Sequence, residues 1–412
     1  MTYHLNIDQT QKKPTNSRRL IRLLPVRRVI IVDGQLCKTR RRIDMKIIVN
    51  SLDLNDAVGK VSKALSVKDV APVLECIKIT ADNDKLTLYA TDKDLAIERT
   101  IDANVIVGGS FLVPGRIFGD YIRNIADKGS DISLEMVEEN RLLVSSQSSE
   151  CNIGTLDASD YPEIESISGG NYFAIQETNL REIISNLIFS VATDDSRPML
   201  RGVYFEAKDY TLSAVATDGY RFAMSKKVLE ERVDEITATV PSRSLAELSK
   251  LLNESDNILK VYIENNYLLV CMEGTKLFTR LLAGSYIKYD NIVPKEFLST
   301  LLVNKDTFER ALNTASIMSR SEKNNLVVLD IEEYNMNISS TSQYGTAREN
   351  ITISLSGKDV RCAYNSKYLN DCLKVINADT IKLEFAQHNS CVITIKDSDE
   401  VLYFILPVKQ IV

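Results

Sequence analysis

Residues 45–66 read MKIIVNSLDLNDAVGKVSKALS, and the same grammar returns at 171–192 as NYFAIQETNLREIISNLIFSVA and at 299–319 as STLLVNKDTFERALNTASIMS. Each stretch opens with a short β-like run and passes into a helix signal. In the three helices Leu54/Val58/Val61, Leu180/Ile184/Leu187 and Phe308/Leu312/Ala315 superpose at i, i+4 and i+7, one face of a helix. Self-similarity at so long a period means a chain built from repeated supersecondary units.

The strands that follow also align: KLTLYATDKDLAIERTI (85–101), TLSAVATDGYRFAMSKKV (211–228) and NMNISSTSQYGTARENITI (335–353). In each, two β runs flank a turn-forming centre, which is hairpin chemistry, so the two Ala-Thr-Asp segments mark equivalent turns. Every repeat then restarts with a second strand and helix, at SFLVPGRIFGDYIRNI (110–125), TATVPSRSLAELSKLL (237–252) and VRCAYNSKYLNDCLKVI (360–376), and further strands follow. The unit is βαβββ, used six times. The fold class is α+β, with three repeated domains of two units each. Turn-rich DASDYPEIESISGGN (157–171) and YDNIVPKEF (289–297) separate them, which sets domains at 45–165, 170–294 and 299–412. Joining repeats edge to edge removes unpaired strand edges, and closing three repeats requires a symmetric second copy.

Composition narrows the chemistry. The chain has 412 residues, 44% apolar and 26% charged, and no apolar run long enough to span a membrane. Seven cysteines without a CxxC pair argue against a zinc site or a disulfide framework and for reduced, cytoplasmic thiols. With His4 and His388 the only histidines, a Ser/His/Asp or Cys/His mechanism has almost nothing to build on. Residues 1–44 carry eleven Lys and Arg against three Asp, a net +8, so the rest of the chain carries −14 of the total −6. This basic leader reads as a disordered tail or an upstream start-site artefact, because Met45 opens directly onto a strand; targeting and nucleic-acid contact are its alternatives.

A charge pattern recurs in the second helices. Arg116-Asp120-Arg123, Arg243-Glu247-Lys250 and Lys367-Asp371-Lys374 all read basic, acid at i+4, basic at i+7, from the same repeat positions. The plain expectation is a solvated face with i,i+4 ion pairs. Against an acidic body, two cations per acid on the same face of three helices also suit loose contact with phosphates.

The residues MKIIV at 45–49, Ala71-Pro72-Val73-Leu74, Val113-Pro114, Phe189-Ser190, RPMLRG (197–202), ATDGYRFA (216–223), Val240-Pro241 and the ending from Tyr403 to Val408 together resemble the bacterial β sliding clamp, the processivity subunit of the replicative DNA polymerase. The resemblance runs from Met45 to Val412 across all three repeats. It implies a non-catalytic, head-to-tail homodimeric ring of six modules, helices lining the hole, around double-stranded DNA. It implies no cofactor and no metal, and partners (replicative polymerase, clamp loader and repair polymerases) that dock through short linear peptides.

By position the resemblance places a peptide cleft at Leu200, Thr217, Gly219, Tyr220, Arg221, Phe222, Ile287, Ile292, Phe404, Ile405, Leu406, Pro407 and Val408. It matches Lys68 and Arg197 to basic positions that meet DNA. The helix cations Arg116, Arg123, Arg243, Lys250, Lys367 and Lys374 join them by their shared face. Ring closure would set Cys151 and Ile153 against Ile317 and Met318. Two rival readings compete: an enzyme using Asp92, Asp94 and Asp218 as metal ligands, and a scaffold that binds only proteins. The repeat alignment puts Asp92 and Asp218 at equivalent turns of different domains, which speaks against the enzyme.

Overall fold

The computed structural model describes residues 30–32, 35–37, 45–66, 71–127, 129–138, 140–164, 170–320, 322 and 324–408. Residues 1–43 and 44–412 form two separate units. In the first, β1 (Ile30–Val32) pairs antiparallel with β2 (Gln35–Cys37). The rest of the basic leader lies outside the described residues.

In the second unit the first repeat supplies β3 (Lys46–Asn50), α1 (Ser51–Val61), β4 (Cys76–Asp82), β5 (Lys85–Thr91), β6 (Leu95–Asp102) and β7 (Asn104–Val107). It continues with β8 (Gly109–Pro114), α2 (Gly115–Ile125), β9 (Asp131–Glu138), β10 (Arg141–Ser145) and β11 (Glu150–Gly154). The second repeat supplies β12 (Asn171–Gln176), α3 (Glu177–Leu187), β13 (Gly202–Thr217), β14 (Arg221–Pro241), α4 (Ser242–Ser249), β15 (Ile258–Glu264), β16 (Tyr267–Met272) and β17 (Thr275–Arg280). The third supplies β18 (Ser299–Asn304), α5 (Lys305–Ala315), β19 (Leu326–Glu332), β20 (Asn335–Ser342), β21 (Gly345–Thr352), β22 (Ser354–Gly357) and β23 (Val360–Asn365). It ends with α6 (Ser366–Val375), β24 (Thr380–Phe385), β25 (Cys391–Ile395) and β26 (Val401–Ile405).

The repeated grammar has a local cause at each strand–helix boundary. Asn50 accepts hydrogen bonds from Leu52 N and Asp53 N, Asn304 from Thr307 N, and Asn365 from Lys367 N, so one residue type ends the strand and caps the helix. Pro114 and Pro241 hold the equivalent position before α2 and α4, with φ near −56° and −57°. The nine stripe residues of α1, α3 and α5 are all buried, at 2% exposure or less. In the second helices Phe118 is buried, but Ile122 joins it in the core while Ile125 is only half-buried.

One expectation needs revision. In the second repeat no separate strand opens the second unit: β14 runs 21 residues, from the hairpin turn through to Pro241. Its partner β13 follows it with register shifts on either side of Asp209, in an exposed stretch.

Two ladders join the repeats. β17 pairs antiparallel with β6 inside an eight-stranded sheet, and β26 pairs antiparallel with β14 inside a seven-stranded one. The other two sheets of this unit run β11-β10-β9-β3-β7 and β21-β20-β19-β23.

Glu177 pins the start of α3 from inside, being 3% exposed: its carboxylate accepts from Asn253 N at 2.7 Å and from Ser255 Oγ at 2.6 Å. Replacing it by Ala removes the charged acceptor that ties both donors to α3, and Glu177→Ala should destabilise the chain by about 2–3 kcal/mol. Chemical denaturation checks this; an unchanged midpoint would mean the loop 253–257 stands without it.

Candidate functional site

The junction of the second and third repeats is assembled around the turn 217–221. Thr217 Oγ1 donates to Arg221 O at 2.6 Å and accepts from Gly219 N at 3.1 Å, while Asp218 Oδ1 accepts from Tyr220 N and Arg221 N at 2.9 and 3.0 Å. Gly219 sits at φ +90°, and a Cβ there would come within 2.7 Å of Arg197 Nη1. Glycine suits this backbone hand without strain, while Lys93 holds φ +81° at the same turn position of the first repeat and the arginine tip is free to shift.

Arg221 lies 7% exposed beneath this turn. Its Nε meets Asp218 at 3.1 Å, its Nη1 meets Asp371 of α6 at 2.7 Å, and its Nη2 donates to Phe189 O. The guanidinium lies 5.2 Å from the Phe189 ring centre and 4.6 Å from that of Tyr368. Burial pushes the Tyr368 phenol up, and the neighbouring Asp218 charge adds to it, so this ring is a neutral platform for the cation. A planar five-donor group between two carboxylates and two rings is a strut between domains.

On the outer side Val215, Phe222, Val392 and Phe404 form a buried cluster, which Tyr286, Tyr289, Ile292, Val293 and Phe297 cover. Tyr286 stacks on Tyr204 with ring centres 5.1 Å apart, and Tyr289 donates to Glu206 at 2.7 Å, fixing the connecting segment in place. Beyond Ile405 the chain leaves the ladder: Leu406 N donates to Tyr220 O at 3.0 Å and Val408 N to Ala363 O at 2.8 Å. There it borders a cavity of about 810 Å³ walled by Val328, Arg361, Cys362, Ala363, His388, Leu406, Pro407 and Val408, among others. Burial pushes the Cys362 thiol up to about 12, so at neutral pH this wall is a small apolar surface.

The thirteen cleft residues thus divide. Gly219, Tyr220, Ile287 and Leu406 are exposed, and Ile292, Pro407 and Val408 are half-buried. Leu200, Thr217, Arg221, Phe222, Phe404 and Ile405 are buried. The physical reason is that the two strands are covered on both faces: α3 packs on β14 and α6 on β26, while the segment 286–297 lies over Phe222 and Phe404. Asp371, Phe189, Tyr368, Tyr286 and Tyr289 are the parts that pattern reading missed.

The charged face of the second helices also differs from the expected i,i+4 pairing. Asp120 pairs with Arg123 at 3.1 Å and Glu247 with Lys250 at 2.8 Å, both at i,i+3. Arg243 reaches across the first junction to Asp92 at 2.6 Å, and Asp371 is drawn to Arg221. Arg116, Arg123, Lys250, Lys367 and Lys374 stay exposed; Arg243, also exposed, is tied by its ion pair. Exposed Arg197 stands over Gly219, beside Asp194 and Asp195. Lys68 lies outside the described residues.

Asp92, besides holding Arg243, accepts from Asp94 N and Leu95 N in its own turn. Asp218 does the same in the second repeat, and no cluster of three metal-ligating side chains occurs among the described residues. Of the interface set, Ile317 is 54% exposed and Met318 and Cys151 are half-buried, whereas Ile153 is buried under its own sheet.

Family models match the chain in three consecutive pieces. They are the N-terminal domain of the DNA polymerase III beta subunit at residues 45–165, its central domain at 174–288 and its C-terminal domain at 290–409. The beta sliding clamp of Staphylococcus epidermidis is 31% identical over 367 residues, 86% of this chain and 96% of that protein. The clamp of Halalkalibacterium halodurans is also 31% identical over 367 residues, 85% of this chain and 96% of its own length. The crystal structure of the Bacillus subtilis DNA polymerase sliding clamp superposes with a TM-score of 0.86 at 27% identity, covering 89% of this chain and 100% of that one. That of the Streptococcus pneumoniae DNA polymerase III beta chain gives 0.84 at 27% identity with the same coverage.

Removing the strut should be costly, because it leaves two carboxylates facing a buried void. Arg221→Ala is expected to destabilise the junction by about 3 kcal/mol, and Arg221→Lys by less, since an ammonium cannot span both acids. Thermal unfolding followed by circular dichroism checks this. A midpoint unchanged in both variants would contradict the strut.

Proposed function

The chain belongs to the DNA polymerase III β-subunit family of bacterial sliding clamps, and on that premise we propose how its residues divide the work. The protein is a non-catalytic processivity factor. Two copies form a ring of six modules around duplex DNA and tether the replicative polymerase by topology, while partner proteins dock by short peptides.

The single observation that carries the docking role is the lip at the second junction, where Tyr220, Ile287 and Leu406 stand 65%, 40% and 41% exposed and Leu406, with Pro407 and Val408, borders a walled cavity. Leu406 N is tied to Tyr220 O, and apolar side chains on a pinned backbone lose little entropy when a peptide covers them, so a few anchors can supply most of the affinity. In our reading Gly219, Tyr220, Ile287, Ile292, Leu406, Pro407 and Val408 touch the peptide. Leu200, Thr217, Phe222, Phe404 and Ile405 shape the floor, and Arg221 holds the two domains that make it.

For DNA we assign Arg116, Arg123, Lys250, Lys367 and Lys374, with Arg197 and Lys68 at the margin and Arg243 weakened by Asp92. A few exposed cations on an acidic body hold phosphates loosely, as a sliding ring requires. Domain limits of 45–165, 170–294 and 299–412, and a cytoplasmic location, complete the reading. Among the described residues no helix is long and apolar enough to cross a membrane.

Two experiments test this function. Loaded by a clamp loader onto nicked circular DNA, the protein should stay bound through gel filtration and be lost when the circle is linearised; equal loss from both would contradict a topological hold. Tyr220→Ala combined with Leu406→Ala should weaken binding of a polymerase-derived peptide by at least about tenfold, as loss of two apolar anchors implies. Unchanged affinity would take this lip out of the docking site.

A further inference from the structure

The sheet face that borders the docking lip has two counterparts in the same chain. After the last strand of each repeat one amide returns to the same position: Leu156 N donates to Leu112 O at 3.0 Å, Leu282 N to Thr239 O at 2.9 Å and Val408 N to Ala363 O at 2.8 Å. Cross-strand pairing then equates Lys78, Tyr204 and Val328, which lie opposite those three acceptors. In the first two repeats a connecting segment crosses this face. Residues 157–164 bring the Glu163 carboxylate to Lys78, and Tyr161 OH donates to Cys76 O at 2.8 Å. Residues 286–297 stack Tyr286 on Tyr204, and Tyr289 donates to Glu206 at 2.7 Å. In the third repeat Val328 and Ala363 wall the cavity of about 810 Å³ that Leu406, Pro407 and Val408 border.

The rim of that cavity is cationic. Arg361 stands where the other repeats carry Ser110 and Thr237, and its side chain is 75% exposed. Its ion pair with Asp330 is 3.6 Å long, beyond hydrogen-bond reach, so the guanidinium keeps donors to offer. The backbone beneath it is fixed. Asn389 Nδ2 donates to Arg361 O at 3.0 Å and Tyr364 OH to Asn389 O at 2.5 Å, which holds His388 at the same rim. Among the described residues that wall the cavity none is an acid, although the body of the protein is acidic.

Resting on the docking role given above, we propose that this cavity reads an acidic side chain of the partner peptide. The peptide sets its apolar anchors on the lip of Tyr220 and Leu406 and lays one Glu or Asp against Arg361, as Glu163 is laid on Lys78 in the first repeat. Val328, Ala363 and Pro407 take the methylene stem. Leu406 belongs to both lip and cavity, so the acid falls within a few residues of the anchors. A carboxylate–guanidinium contact at an exposed rim adds little affinity, but it favours an acid and repels a base. Arg361 therefore sorts partners whose apolar anchors are alike.

The test titrates the full chain with a polymerase-derived peptide and with copies in which a single Glu, or its Gln match, is placed in turn at each position flanking the apolar anchors. At one position Glu should bind about threefold tighter than Gln, the size of an exposed ion pair. In Arg361→Gln that preference should fall to within about 1.5-fold, and in Arg361→Glu it should reverse, while the Gln peptide binds all three chains within about twofold. Arg361→Lys keeps the charge and should keep the preference. Equal affinity of Glu and Gln at every position, or a preference that survives Arg361→Gln undiminished, overturns the acid reading and leaves the docking lip standing. A series in which no peptide binds the wild-type chain overturns both.

Discussion

The pairing of strand edges at the domain junctions is the constraint on which the rest of this structure depends. An antiparallel sheet that stops leaves a row of backbone donors and acceptors without partners. Within the chain this happens twice between repeats, and each time the last strand of one repeat closes against the hairpin of the one before, β17 on β6 and β26 on β14. The helices pack beneath these continuous ladders, and the peptide lip exists because β26 ends where the turn 217–221 begins. A protein with no catalytic group of its own thus works through the geometry of its joints.

Each joint is locked by a different ion pair drawn between the same two elements, a hairpin turn and a second helix. At the first, the turn supplies Asp92 and the helix Arg243; at the second, the turn supplies Arg221 and the helix Asp371. The opposite polarity has a physical consequence: a joint of one kind cannot pair favourably with a turn of the other, since like charges would meet in a half-buried site. The order of the three repeats is therefore written in charge as well as in chain connectivity. The same arrangement draws Asp371 away from the basic residues of α6, leaving Lys367 and Lys374 exposed, whereas the acids of α2 and α4 remain beside Arg123 and Lys250.

The repeat itself was legible because its signals are local. The stripes at i, i+4 and i+7 and an Asn or Pro at each strand–helix boundary except that before α3 need nothing beyond neighbours in sequence. The joints were not legible in that way. Asp371 stands at the right spacing to pair with Lys367 on its own helix, yet it bonds Arg221, 150 residues away, because burial beside two rings rewards that contact more than an exposed one. Likewise Phe222 and Phe404 occupy the outward side of their strands and would read as accessible. Only the fold shows that residues 286–297 lie over them, since periodicity reports which side chains share a face and says nothing of what covers it. Ile153, which the resemblance places at the interface between copies, is buried within the single chain.

The central claim is that two copies of the chain close into a ring, which would cover β11 and β21, outermost strands of their sheets among the described residues. Hydrogen–deuterium exchange of the amides in 150–154 and 345–352, followed across a dilution series, measures this most directly. The account predicts slow exchange of both segments at concentrations where the mass is twice 46.3 kDa, and simultaneous loss of that protection as the protein dilutes to monomers. Rapid exchange of either segment in a protein that is dimeric by mass would contradict it.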